Sequence, residues 1–126
     1  MPMPLLGVLL AIHGLIHGVG FTTTWGLGAS GAISGTPTLW PGVTWDEPVV
    51  RGLGVLWLVA LVGYVGAAIE AFFGSGLWLP LAVAASLLSL ALCVLWWSDA
   101  KIGALLDVAI LAGIVATRLF VLRAAA

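Results

Sequence analysis

Charge is what this chain has least of: four Lys and Arg and five Asp and Glu are spread over 126 residues, for a formal net charge of −1 at neutral pH. Without a basic stripe it offers nucleic acid no electrostatic footprint, and the same shortage argues against recruitment by anionic lipid. Cysteine occurs once, at Cys93 inside an apolar run. No intramolecular disulfide can form, and that thiol reads as a small apolar packing residue. Catalytic motifs are missing as well. There is no Gly-rich phosphate loop, Cys-xx-Cys pair, His-Glu-xx-His helix or nucleophile elbow, the parts that hydrolases and nucleotide-driven pumps generally need.

What is present is apolar: 63% of the residues are hydrophobic and the mean hydropathy is +1.26. A hydrocarbon core about 30 Å thick takes roughly 20 apolar residues per helix. The pattern therefore predicts spans over 4–22, 51–73, 77–97 and 102–123. These runs are continuous and too long for the alternating strands of a barrel, and helices satisfy their own backbone polar groups in lipid. A soluble bundle would show a polar face at helical spacing, yet Gly52 to Ile69 carries no charged side chain. The expected fold class is all-α, a membrane-embedded four-helix bundle forming one domain over 1–126. Read instead as a signal peptide, the first run would want Lys or Arg ahead of it, and Met1 to Leu10 has neither.

Four basic residues give a thin positive-inside signal. Arg118 and Arg123 lie on the side of the termini, while Arg51 and Lys101 on the other side are offset by Asp46, Glu47 and Asp99. The expected placement is a bacterial plasma membrane with both termini in the cytoplasm, which puts the long connection 23–50 outside. Glycines and prolines break that connection, but Trp25, Trp40 and Trp45 are interspersed in it. Tryptophan favours the headgroup region, so the loop is expected to fold back on the bundle mouth. Trp96 and Trp97 end the third span and Trp78 opens it. Gly14 and Gly18, then Gly63, Ala67 and Ala71, then Ala109, Gly113 and Ala116 form small-residue stripes suited to close helix packing.

Ionisable residues within spans are costly and are functional candidates by default. His13 and His17 share one helix face. Counted from the ends of the predicted spans, Asp107 falls at the depth of His17, so the expectation is a His17–Asp107 contact with His13 beneath it. Such a cluster can fix helix packing, bind a ligand or carry protons. A His pair with one carboxylate has the chemistry of a metal site but lacks a fourth donor, so no metal is assigned; two imidazoles from one helix cannot reach opposite faces of a haem. Nothing in the residues names a cofactor. Glu70 and Arg118 match in depth at the other face and are expected to form a structural ion pair, although Arg118 can equally snorkel. Arg51 sits at the outer mouth, within reach of Asp46, Glu47, Asp99 or Asp107.

Three stretches, His13-Gly14-Leu15-Ile16-His17-Gly18-Val19-Gly20-Phe21, Arg51-Gly52-Leu53-Gly54-Val55-Leu56-Trp57 and Trp97-Ser98-Asp99-Ala100-Lys101-Ile102-Gly103, carry a resemblance. The chain resembles a family of small bacterial four-span integral membrane proteins, loosely DoxX-like in size and topology. The resemblance touches every span and is weakest in the connection 23–50. It implies the topology and importance of His13, His17, Arg51, Trp57, Asp99 and Lys101, and no activity. The family commonly has Asn where this chain has Asp107, which speaks against an obligatory acid/base role there, while a hydrogen-bonding role survives the exchange.

The functional expectation is a polar pocket from His13, His17 and Asp107, closed by Arg51, Trp57 and the tryptophan-bearing loop. It would bind an amphipathic or lipid-like small molecule, since apolar walls with a few convergent polar groups are the usual make-up of a ligand site. Alternatively the chain is an accessory subunit of a membrane complex. The same buried imidazoles and carboxyl would also suit a proton-coupled small-solute transporter acting as a homodimer, or a membrane enzyme with His13 or His17 as general base. Expected partners are the lipid bilayer, a hydrophobic small molecule and a second copy or larger complex, with nucleic acid excluded.

Overall fold

A computed structural model describes residues 3–28 and 31–125. Four helices run in order: α1, Pro4–Thr24; α2, Glu47–Phe73; α3, Trp78–Leu95; α4, Trp97–Ala124. All four are long and apolar enough to cross a membrane. The chain is thus an all-α four-helix bundle in contact with lipid.

Local chemistry sets the boundaries. Pro4 and Pro48 each occupy the first turn of a helix, where a missing N–H costs nothing, and Glu47 complements the positive end of α2. α2 consequently starts ahead of the apolar run, and the connection shortens to 25–46. Its other end is Gly74 at φ 73°, a left-handed cap that lets Ser75 N–H reach the Glu70 carbonyl. Ser98 to Lys101, which the predicted spans 77–97 and 102–123 leave between them, are helical: α4 begins at Trp97 and bends at Ala100, whose φ and ψ are −114° and 20°.

α1 packs on α2, α2 on α3 and α3 on α4, while α1 and α4 do not pack closely. Small residues make the first of these interfaces. A Cβ built on Gly14 would lie 2.6 Å from Tyr64 Cβ, and one on Gly20 would lie 2.3 Å from the Trp57 ring. Gly18 is looser, with Leu61 at 3.4 Å, and Gly113 on α4 meets nothing. One core cluster joins Leu10, Tyr64, Ala67, Ala68, Ala82 and Ala85, and a second joins Trp57, Leu92, Cys93, Trp96 and Ala104 toward the loop end.

The connection is tied to the corner between α3 and α4. Trp96 Nε1–H donates to the Ser34 carbonyl at 2.8 Å, Ser34 N–H donates to Asp99 Oδ2 at 2.8 Å, and Thr38 and Leu39 N–H both donate to the Leu95 carbonyl. It therefore folds back over the bundle mouth, and two of its residues, Ala32 and Ile33, reach the cavity described below.

Candidate functional site

Each helix sends polar side chains to one level of the interior. α1 supplies His13 and His17, four apart and so on one face; α2 supplies Tyr64; α3 supplies Ser86 and Ser89, three apart; α4 supplies Asp107. Asp107 has no exposed surface. Its Oδ1 accepts from His13 Nε2–H at 2.8 Å and from the Tyr64 hydroxyl at 2.5 Å, and its Oδ2 bonds the Ser89 hydroxyl at 2.6 Å. Tyr64 makes a second hydrogen bond, 2.9 Å, with Ser86 Oγ. His17 Nδ1–H donates to the His13 carbonyl one turn back at 2.9 Å, and His17 Nε2 meets Ser89 Oγ at 2.6 Å.

His13, not His17, therefore touches the carboxyl, and His17 reaches it through Ser89. The correction follows from where α4 begins. From Ile102 at the start of the apolar run, Asp107 lies about 8 Å deep and matches His17; from Trp97, where the helix starts, it lies about 15 Å deep and matches His13, about 16 Å from the end of α1.

Rings pack around this network. His13 meets Tyr64 edge-on with centroids 4.8 Å apart, His17 lies 5.0 Å from His13 and 5.3 Å from Trp57, and Trp57 continues to Trp96 at 5.7 Å. Trp57 is held in place by Gly20, where no side chain could fit beside the indole.

Two cavities flank the imidazoles. The smaller, about 240 Å³, lies toward the loop and is lined by His13, His17, Trp57, Cys93, Asp99 and Ile33 among others. The larger, about 600 Å³, is an apolar cleft between α1 and α4, running from Ile16 and Leu106 to Trp78 and Arg118. His13, Ile16 and Leu106 line both. Two residues that line the small cavity, His13 and Trp57, each keep a buried ring nitrogen, Nδ1 and Nε1, with no hydrogen-bond partner among the described residues. A third such atom, Trp45 Nε1, belongs to the connection.

The remaining sequence candidates lie elsewhere. Arg51 is exposed, pairs with Glu47 Oε1 at 2.6 Å and stacks on Trp25 at 5.4 Å, lining neither cavity; its carbonyl accepts from Trp25 Nε1–H. It fastens the start of α2 to the end of α1. The expected Glu70–Arg118 ion pair is not among those of the described residues: Glu70 accepts from the Ser75 hydroxyl at the α2–α3 turn, while Arg118 borders the large cleft. No three His, Cys, Asp or Glu side chains among the described residues are placed to hold a metal ion.

Tyr64, Ser86 and Ser89 escape a reading that follows charge alone. The signal is there: Tyr64 is the chain's one tyrosine, mid-span, and Ser86 and Ser89 put two hydroxyls on one face of an otherwise apolar helix.

Compared with known proteins, the chain matches no family model, no curated protein and no solved structure. From the resemblance, the four-span topology alone carries forward, on the strength of the fold.

Proposed function

We propose that the protein binds a single-chain amphiphile with a hydroxyl-type head, the head in the small cavity and the chain in the large cleft. One observation carries this reading: two residues lining the small cavity, Trp57 and His13, each keep a buried ring nitrogen without a partner among the described residues. Leaving such groups unpaired costs about 1–3 kcal/mol each, and structural packing alone gives no return on it. With His13 neutral and its Nε2–H given to Asp107, its Nδ1 is an acceptor, whereas Trp57 offers a donor. An alcohol, phenol or protonated carboxylic acid meets both at once. The apolar cleft shares three lining residues with that cavity and supplies a wall for a hydrocarbon tail.

Arg51, Glu70 and Arg118 have no part in head-group recognition here. A second reading, an accessory subunit or homodimer whose partner helix fills the cleft, draws on α4, since only 6% of its most apolar stretch is buried.

Native mass spectrometry of gently solubilised protein, before and after addition of 1-decanol, tests both. Binding by a monomer, weakened roughly fivefold to tenfold in Trp57→Phe for the loss of one hydrogen bond, is the expected result. Equal binding by wild type and variant contradicts the head-group site, and a stable dimer that excludes 1-decanol favours the second reading.

A further inference from the structure

The hydrogen bonds linking Asp107, Ser89 and His17 demand more protons than an ionised carboxylate, a hydroxyl and a neutral imidazole possess. A carbonyl oxygen only accepts, so the 2.9 Å contact with the His13 carbonyl fixes a proton on His17 Nδ1. Two contacts remain, His17 Nε2 to Ser89 Oγ at 2.6 Å and Ser89 Oγ to Asp107 Oδ2 at 2.6 Å. Each needs a proton between its atoms, and Ser89 has one to give.

Two arrangements satisfy all three bonds. In the first, a protonated Asp107 donates to Ser89, which donates to Nε2 of a neutral His17. In the second, an imidazolium at His17 donates to Ser89, which donates to an ionised Asp107. Both carry zero net charge, which suits a span where an isolated charge is expensive. They interconvert by moving one proton from Asp107 to Ser89 and one from Ser89 to His17, with no bond between heavy atoms changed.

We infer that Asp107, Ser89 and His17 share one extra proton, and that the Ser89 hydroxyl passes it between the fully buried carboxyl and the imidazole lining the small cavity. The other groups facing this chain are compatible with it. From α1, His13 gives Nε2–H to Oδ1; from α2, Tyr64 gives its hydroxyl proton to the same oxygen; from α3, Ser86 bonds Tyr64, and Cys93 Sγ lies 4.0 Å from Ser89 Oγ. His13 and Tyr64 both address Oδ1 and leave Oδ2 to Ser89, with the Cys93 thiol facing both Ser89 and Asp107. Asp99 is the further acidic group on the cavity wall.

The consequence is a wall whose charge can change without a change of fold. With the proton on Asp107 the cavity faces a neutral imidazole; with it on His17 the cavity faces a cation, while the carboxylate stays out of reach behind Ser89. One cavity can then present either a neutral or a cationic wall to the head of a bound weak acid. That last step rests on the ligand-binding reading, whereas the proton count does not.

The test uses the ligand-free, full-length protein in bilayers, following two signals through a temperature series at neutral pH, because the two arrangements hold the same number of protons and interconvert without uptake or release. One is the infrared carbonyl stretch of a protonated carboxyl, assigned by its loss in Asp107→Asn. The other is the ring nitrogen resonances of His17. The expected result is that the two change together, a protonated Asp107 accompanying a neutral His17 with its proton on Nδ1, and an ionised Asp107 accompanying an imidazolium. In Ser89→Ala the two become independent, and in Ser89→Thr, which keeps the hydroxyl, they move together again. An ionised Asp107 beside a neutral His17 in the wild type at neutral pH overturns the shared proton. Unaltered coupling in Ser89→Ala overturns the relay. Failure of 1-decanol to bind leaves these signals unchanged and bears only on the ligand.

Discussion

His13 on α1 donates from Nε2–H to the fully buried carboxyl of Asp107 on α4 across 2.8 Å, joining two helices that do not otherwise pack closely. The bond ties the open side of the bundle together at mid-depth and leaves a cleft beside it. With the ring neutral, that bond leaves Nδ1 as an acceptor, the form that the proposed head group needs.

Substitutions at Asp107 separate hydrogen bonding from charge. Asp107→Asn can still accept from His13 and Tyr64 through its carbonyl oxygen and can donate to Ser89 through its amide, so it should unfold within about 1 kcal/mol of wild type. Asp107→Ala strands the partner groups and should cost roughly 2–4 kcal/mol. Reversible unfolding in mixed micelles checks both, and equal losses would mean that the network does not stabilise the bundle.

Small-residue positions should differ sharply. Gly14→Ala drives a methyl to 2.6 Å from Tyr64 Cβ and should destabilise by about 1–3 kcal/mol through overpacking. Gly113→Ala meets open space and gains up to about 1 kcal/mol of helix propensity. Melting temperatures of the two variants, measured in one detergent, should move in opposite directions.

The connection should loosen when its anchor is cut. Trp96→Phe keeps the buried ring but removes the N–H that holds Ser34, a loss of about 1 kcal/mol. Amide exchange at Ser34, Thr38 and Leu39 should speed up while that of α2 stays unchanged. Uniform acceleration across the bundle would show that Trp96 acts through the core instead.

Fold and site are legible in the sequence to different degrees. Four helices follow from apolar run length and the scarcity of charge, and spacing alone puts His13 and His17 on one face. Partner choice does not follow. Depth counted from the apolar run at Ile102 pairs Asp107 with His17, but α4 starts at Trp97, and that offset of more than one turn moves Asp107 to His13. The Glu70–Arg118 pair fails for a related reason: matched depth says nothing about which faces meet, and Glu70 finds Ser75 five residues away. Tyr64, Ser86 and Ser89 are easily overlooked because hydroxyls barely alter hydropathy, although Tyr64 and Ser89 bond Asp107 directly and Ser86 bonds Tyr64.

The head-group site stands or falls on the indole N–H resonance of Trp57, assigned by its loss in Trp57→Phe and recorded in bilayers with and without 1-decanol. A hydrogen bond from Trp57 Nε1–H to the alcohol predicts a downfield shift of that proton, with Trp40 and Trp97, which line neither cavity, unmoved. A Trp57 signal that ignores saturating 1-decanol would contradict a head-group site between Trp57 and His13.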